Sequence, residues 1–196
     1  YMHSILSDIF LFLKSHNIDF CVLRNFDKLH YQLPDGDIDI LVDRKKIDKL
    51  VQLISKDFSY KPYKVMRHSM ISVDFFFKIL ENGKVRTINF ELRTSLCGYD
   101  DRGLIYEYIN AKEALKNIRI NEHNIPILGK TDYFVHLYFE VFYEGKRKYH
   151  NILSQINLTP DEKQRVEKHF VEGQFIETLE EKSELKKNQP FYLSFC

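Results

Sequence analysis

Tryptophan is absent from the 196 residues, and cysteine, methionine, proline and glycine are scarce at 3, 3, 5 and 7. So little glycine and proline excludes a collagen-like or low-complexity chain. The cysteines (Cys21, Cys97, Cys196) are odd in number, widely spaced and form no CxxC pair, which excludes a disulfide framework and a zinc knuckle. Free thiols of this kind suit a reducing cytoplasm, the expected location. Neither sign of charge is in excess: 29 basic against 28 acidic side chains leave a net charge of +1. That balance excludes nucleic-acid binding by bulk basicity and a disordered acidic chain, and no sequence-specific nucleic-acid partner is expected. No run approaches the roughly 18 apolar residues that cross a bilayer. No basic segment followed by an apolar stretch and a small-residue cleavage site stands at the start. The opening Tyr1 suggests a chain cut from a longer protein, with a neighbouring domain or partner.

What is present is an aromatic core, with 16 Phe and 12 Tyr in a chain that is 44% hydrophobic. Ile5, Leu6, Ile9, Phe10 and Leu13 recur at helical spacing and predict a first helix ending near Asn17. Asp19 to Arg24 reads as a buried strand, and Pro34-Asp35-Gly36 as a turn leading into a second strand, Asp37 to Val42. Asp43 is placed to cap a helix whose apolar face is Ile47, Leu50, Val51 and Ile54. Strands are predicted over 71–77 and 86–92, joined through Asn82-Gly83, the strongest short-range hairpin signal. Helices follow from about Tyr133, one beginning at a Thr159-Pro160-Asp161-Glu162 capping box, and a last charged one over 177–187. The order implies an α+β (α/β) fold: a mixed sheet flanked by helices over 1–128, and a helical C-terminal region over 129–196 packed on that core.

Two acids carry the chemistry. Asp37 and Asp39 are two apart on a predicted strand, so their side chains share a face. Ile38, Ile40, Leu41 and Val42 make that strand apolar and central, where unpaired acids repel at high cost unless a cation lies between them. Hard oxygen ligands with no His or Cys nearby select Mg²⁺ or Mn²⁺ over zinc. The other reading is a polar outward face of an edge strand, with Gly36 an ordinary turn residue.

The stretch Gly36-Asp37-Ile38-Asp39-Ile40-Leu41-Val42 resembles the signature of the nucleotidyltransferase-fold (polymerase-beta-like) superfamily. With Phe20 to Asn25 upstream, it resembles the uncharacterised nucleotidyltransferases of bacterial surface-polysaccharide clusters. Ile88-Asn89-Phe90-Glu91-Leu92-Arg93 and the segment from Asp132 through Gly145 to Tyr149 fit that branch, and the resemblance spans roughly residues 15–155. It implies a nucleotidyltransferase-like fold and a metal-dependent transfer of a nucleotidyl or phosphoryl group from an NTP donor to a hydroxyl acceptor, such as a saccharide. Asp37, Asp39 and Glu91 would hold Mg²⁺ or Mn²⁺ and be catalytic. Arg24, Asn25, Gly36, Lys146, Arg147 and Lys148 would meet donor phosphates. The chain departs from the family after the first strand, where Arg24-Asn25 replace the usual Gly-Ser or Gly-Gly.

For the third carboxylate, Glu91 and Asp74 are the candidates, with Asp74 reading more readily as an exposed acid on an edge strand. Glu91 is preferred because Asn89 and Arg93 keep its face polar; a salt bridge with Arg93 or Arg86 is its other reading. The cations of Lys146–Lys148 equally suit a helix C-terminus, whose dipole favours positive charge. His68 beside Arg67 reads first as a surface pair and second as a group approaching the site, and Cys21 reads as a small core residue. His136 and Glu140 are four apart on one helix but lack a third zinc ligand. The departure at Arg24-Asn25 supports a second function class, a degenerate nucleotidyltransferase-fold binding or regulatory module, antitoxin-like or accessory. A third reading, the Asp-x-Asp of a nucleotide-sugar glycosyltransferase, is disfavoured by the early position of the motif.

Overall fold

The computed structural model describes residues 4–29, 33, 36–68, 71–99 and 105–169. The expected charged helix over 177–187 and the Pro34-Asp35 half of the expected turn lie outside the described residues. The chain divides into two compact units, one of residues 1–95 with 111–128 and the other of 96–110 with 129–196.

In the first unit, helix α1 (Ser4–Ser15) buries Ile5, Leu6, Ile9, Phe10 and Leu13, the stripe its spacing predicts. It ends where Asn17 takes a left-handed φ of 54°, a conformation Asn tolerates better than most residues. Strands β1 (Phe20–Val22) and β2 (Ile38–Val42) pair antiparallel, Phe20 opposite Val42. Asp43 accepts a hydrogen bond from the Lys45 N–H at 2.9 Å and starts a 3₁₀ turn, Arg44–Lys46, that leads into helix α2 (Ile47–Asp57). Strand β3 (Lys64–His68), which the sequence reading did not separate, pairs antiparallel with β4 (Ser72–Glu81). β4 in turn pairs with β5 (Lys84–Arg93) along its whole length, from Ser72↔Arg93 to Glu81↔Lys84. Asn82 and Gly83 form the turn with φ of 50° and 76°, the two left-handed positions that a type I′ hairpin requires.

β5 lies parallel to β2, with Asp39 opposite Glu91. After β6 (Ser95–Tyr99) and β7 (Ile105–Asn110), which form a separate two-stranded sheet, helix α3 (Ala111–Lys116) leads to the short strands β8 (Arg119–Ile120) and β9 (Pro126–Ile127). The described strands of the first unit form one seven-stranded mixed sheet in the order β3-β4-β5-β2-β1-β9-β8. The fold is therefore α+β. One face of the sheet is apolar: Phe75, Phe77, Ile88, Phe90, Leu92, Ile38 and Ile40 are buried. Phe77 meets Phe90 edge-on at 5.6 Å and Phe58 at 5.8 Å, while Phe10 of α1 stacks on Phe20 at 5.3 Å.

In the second unit, helix α4 (Lys130–Phe142) is buried over nearly its whole length, including His136 and Glu140. Tyr108 stacks on Phe139 at 4.2 Å, and its hydroxyl meets His136 Nδ1 at 2.9 Å. Helix α5 (His150–Gln155) follows, then α6 (Pro160–Glu167). The predicted capping box is present at α6: the Glu162 N–H donates to Thr159 Oγ1 at 3.3 Å, and the Thr159 N–H to Glu162 Oε2 at 2.8 Å. No helix among the described residues is long and apolar enough to cross a membrane.

Candidate functional site

The second face of the sheet gathers the acids. Side chains alternate along a strand, so Asn89, Glu91 and Arg93 of β5 project together, and strand register decides their neighbours. Asp39 on β2 and Asp74 on β4 are both paired with Glu91 on the strand between them. Asp39, Glu91 and Asp74 therefore form one row across three adjacent strands. Asp37, just before β2, joins the same face by accepting a hydrogen bond from Asn89 Nδ2 at 2.9 Å. The paired aspartates thus face one way.

The two differ in setting. Asp37 is exposed, whereas Asp39 is only 2% exposed. Arg24 Nε donates to Asp39 Oδ2 at 2.6 Å, while the buried Asp39 Oδ1 meets no donor. Arg93 Nε donates to Glu91 Oε1 at 3.0 Å, and Ser72 also hydrogen-bonds Glu91. Asp39 and Glu91 are within hydrogen-bonding reach of each other, so a proton or a cation is needed to join two groups that both accept. Burial pushes the Asp39 carboxyl up to about 7, against the pull of Arg24, and the contact with Glu91 adds to the rise. Burial also opposes charge on Glu91, but Arg93 and the hydrogen bonds from Asp39, Arg93 and Ser72 outweigh it and hold Glu91 below the usual carboxylate range. Within the pair, Asp39 is thus the carboxyl that is raised and Glu91 the one that is lowered.

Asp74, the other candidate for third carboxylate, is occupied at both oxygens. Asn89 Nδ2 donates to its Oδ1 at 3.1 Å, and His68 Nε2 lies 2.6 Å from its Oδ2. Asn89 therefore bridges Asp37 and Asp74. This bridge is the part of the site that sequence reasoning missed; His68, for which an approach to the site was the second reading, meets Asp74, while Arg67, read as its companion, pairs with Asp48.

Arg24 lies on a carboxylate. Asn25, exposed and left-handed at φ 57°, starts a turn in which its carbonyl accepts from the Lys28 N–H at 3.3 Å. Gly36 is exposed, and a Cβ there would meet nothing within 4 Å, so close approach of backbone does not demand glycine. Lys146, Arg147 and Lys148 belong to the second unit. Lys146 Nζ pairs with the buried Glu140 at 2.8 Å and with Glu144 at 2.9 Å, and Lys148 lies over the Tyr149 ring at 4.9 Å.

Among solved structures, the chain is similar to a Thermotoga maritima protein described as a "putative nucleotidyltransferase". The two share 18% identity with a TM-score of 0.42, over 76% of this chain and 91% of that one. No protein-family model matches the chain, and no curated protein matches it.

Among the described residues, no three His, Cys, Asp or Glu side chains close around a point as a complete metal cage. Mg²⁺ does not need one, because it is ordinarily held by one or two carboxylates together with water and substrate phosphates. The donor set fits such an ion in two respects: its ligands are hard oxygens, and one of them is buried without a donor. Against it stands the Arg24 guanidinium, which already neutralises Asp39.

Proposed function

We propose that the carboxylate face belongs to a metal-dependent nucleotidyl- or phosphoryl-transferring enzyme that moves its group from an NTP-type donor to a hydroxyl acceptor. The acceptor is a saccharide or another small molecule of surface-polysaccharide biosynthesis, and the setting is cytoplasmic. The observation that carries the reading is the buried Asp39 oxygen that meets no donor, beside Glu91. Two acids in this position are stable only with a proton or a cation between them. Asp37, Asp39 and Glu91 would hold Mg²⁺ or Mn²⁺. When bound, such an ion neutralises donor phosphates and the departing oxygen.

The residues of the chain do the rest. Asn89 fixes Asp37, and Arg93 with Ser72 fixes Glu91, so both carboxylates are oriented before any ligand arrives. In the transfer, the acceptor oxygen bonds to the donor phosphorus as the phosphoanhydride bond breaks, and pyrophosphate leaves in nucleotidyl transfer or the nucleoside diphosphate in phosphoryl transfer. The hydroxyl proton passes to a carboxylate of the row, Glu91 being the candidate. Arg24, two residues past the end of β1, would supply a guanidinium to phosphate once released from Asp39.

A second reading has its own support. Arg24 on Asp39 and Arg93 on Glu91 balance the acids with fixed cations, as suits a catalytically degenerate binding or regulatory module, antitoxin-like or accessory. Calorimetric titration with Mn²⁺, then with a panel of NTPs in its presence, separates the two. The enzyme reading expects Mn²⁺ and nucleotide binding that Asp39→Asn abolishes. No binding of either, with Asp39→Asn indistinguishable from the parent, leaves the module.

A further inference from the structure

The carboxylate row continues into a second set of side chains on the same face. One register step from Asp74 along β4, Phe76 is opposite Lys64 on β3 and Asn89 on β5. Lys78 follows two residues later on the same side of β4. Tyr63, just before β3, donates its N–H to the Phe76 carbonyl at 3.0 Å, and its ring centroid is 6.4 Å from that of Phe76 at a tilt of 54°. Lys64 Nζ lies 5.3 Å from the Phe76 ring centre, and Lys78 Nζ lies 4.8 Å from that of Tyr63. These four side chains make one cluster of two rings and two ammonium groups.

The core does not need this cluster. The packed rings of the sheet, Phe75, Phe77 and Phe90, project from the opposite face, whereas Tyr63 is 51% exposed and both lysines are exposed. An exposed cation–π contact is weak enough for a ligand to displace. Strand rise places Phe76 about 7 Å from Asp74, which is roughly the width of one ring. The cluster also abuts the acids through Asn89, which is opposite Phe76 and is bonded to both Asp37 and Asp74.

From this arrangement we infer that the Tyr63–Lys64–Phe76–Lys78 cluster is the acceptor subsite, and that the acceptor is a phosphorylated ring compound. Its ring face lies on Tyr63 and Phe76, its phosphate is held between Lys64 and Lys78, and a hydroxyl across the ring reaches the carboxylate row. The tilt between the two rings leaves a corner for one ring and no flat track for successive bases, so a single ring rather than a nucleic-acid strand is the ligand. The inference deepens the transfer reading and depends on it for the word acceptor; the binding itself needs no cation.

The probes are adenosine 5′-monophosphate and glucose 1-phosphate, titrated calorimetrically without divalent cation, with adenosine, glucose and inorganic phosphate as controls. One of the two ring phosphates is expected to bind more tightly than its unphosphorylated ring or phosphate alone, and which one binds assigns the ring as a base or a sugar. Lys64→Ala, Lys78→Ala and Tyr63→Leu are each expected to weaken it by roughly fivefold, the range of a lost exposed ion or ring contact. These positions are exposed, so an unchanged unfolding curve will accompany each loss. No binding of either ring phosphate, or binding that all three variants leave intact, overturns the inference. Repeating the titration on Asp39→Asn separates the two readings: ring-phosphate binding that survives with no Mn²⁺ binding in the parent removes the transferase and keeps the subsite. Mn²⁺ and NTP binding without ring-phosphate binding does the reverse.

Discussion

The two faces of the sheet are built from the same strands and differ by one residue of register. On one face Phe75, Phe77, Ile88, Phe90 and Leu92 pack as an ordinary core. On the other, Asp39, Asp74 and Asn89 are nearly as deeply buried, at 2, 8 and 9% exposure. The apolar face gains from excluding water. The acidic face is buried at a cost, and Arg24, Arg93, His68 and Ser72 are gathered around it to offset that cost. That costly burial, with one Asp39 oxygen still meeting no donor, is what marks this face rather than the apolar one as the candidate site.

The largest contrast is expected from truncation. Phe90→Ala leaves a void among Phe75, Phe77 and Ile88 and will cost about 3–5 kcal/mol by denaturant unfolding. Asp39→Asn, on the strand beside it, will cost far less, because it removes a carboxyl whose charged form burial disfavours. An equal loss for both would break the distinction between the faces.

A smaller effect sharpens it through pH. The Asp39 carboxyl titrates near 7 in the fold against 3.8 in an open chain, so the native state binds the extra proton between these values. Stability from this group is therefore complete below about pH 4 and is lost as pH rises through 7. Glu91, held low, contributes in the opposite sense: its share is present above its ordinary 4.5 and is lost as pH falls below that. Metal-free protein is expected to lose stability from pH 5 to 8 by thermal unfolding, and Asp39→Asn to flatten that slope. Mn²⁺ must displace the proton, so its stabilising effect will grow over the same interval.

The smallest effect concerns Arg24. Its guanidinium competes with a cation for Asp39, so Arg24→Gln is expected to tighten Mn²⁺ binding several-fold while weakening NTP binding. Weaker Mn²⁺ binding in that variant would show that Arg24 supports the cation instead.

Much of the acidic face was legible in the chain itself. Asp37 and Asp39 share a face because strands alternate, and Asn82-Gly83 fixes the hairpin because both turn positions need a left-handed backbone. Counting outward from that turn places Asp74 beside Glu91, so the two acids read as rivals for one role are neighbours in one row. The sequence could not place Arg24, because a guanidinium on a flexible stem pairs with phosphate or carboxylate equally well. Only the antiparallel pairing of β1 and β2 set it against Asp39. Lys146 is a similar case, since the buried Glu140 that holds it became a partner only when the chain beyond α4 turned back through the left-handed Gly145, φ 70°.

Periodicity, turn chemistry and capping are local, acting over a few residues, and they determined the helices, the hairpin and the shared face of the aspartates. The parallel pairing of β2 with β5 joins residues about fifty positions apart. That pairing decided that Asp39 meets Glu91 and that Asn89 ties the acids together. Long-range register depends on which strands neighbour one another in the folded sheet, and that order is fixed only when the whole core packs.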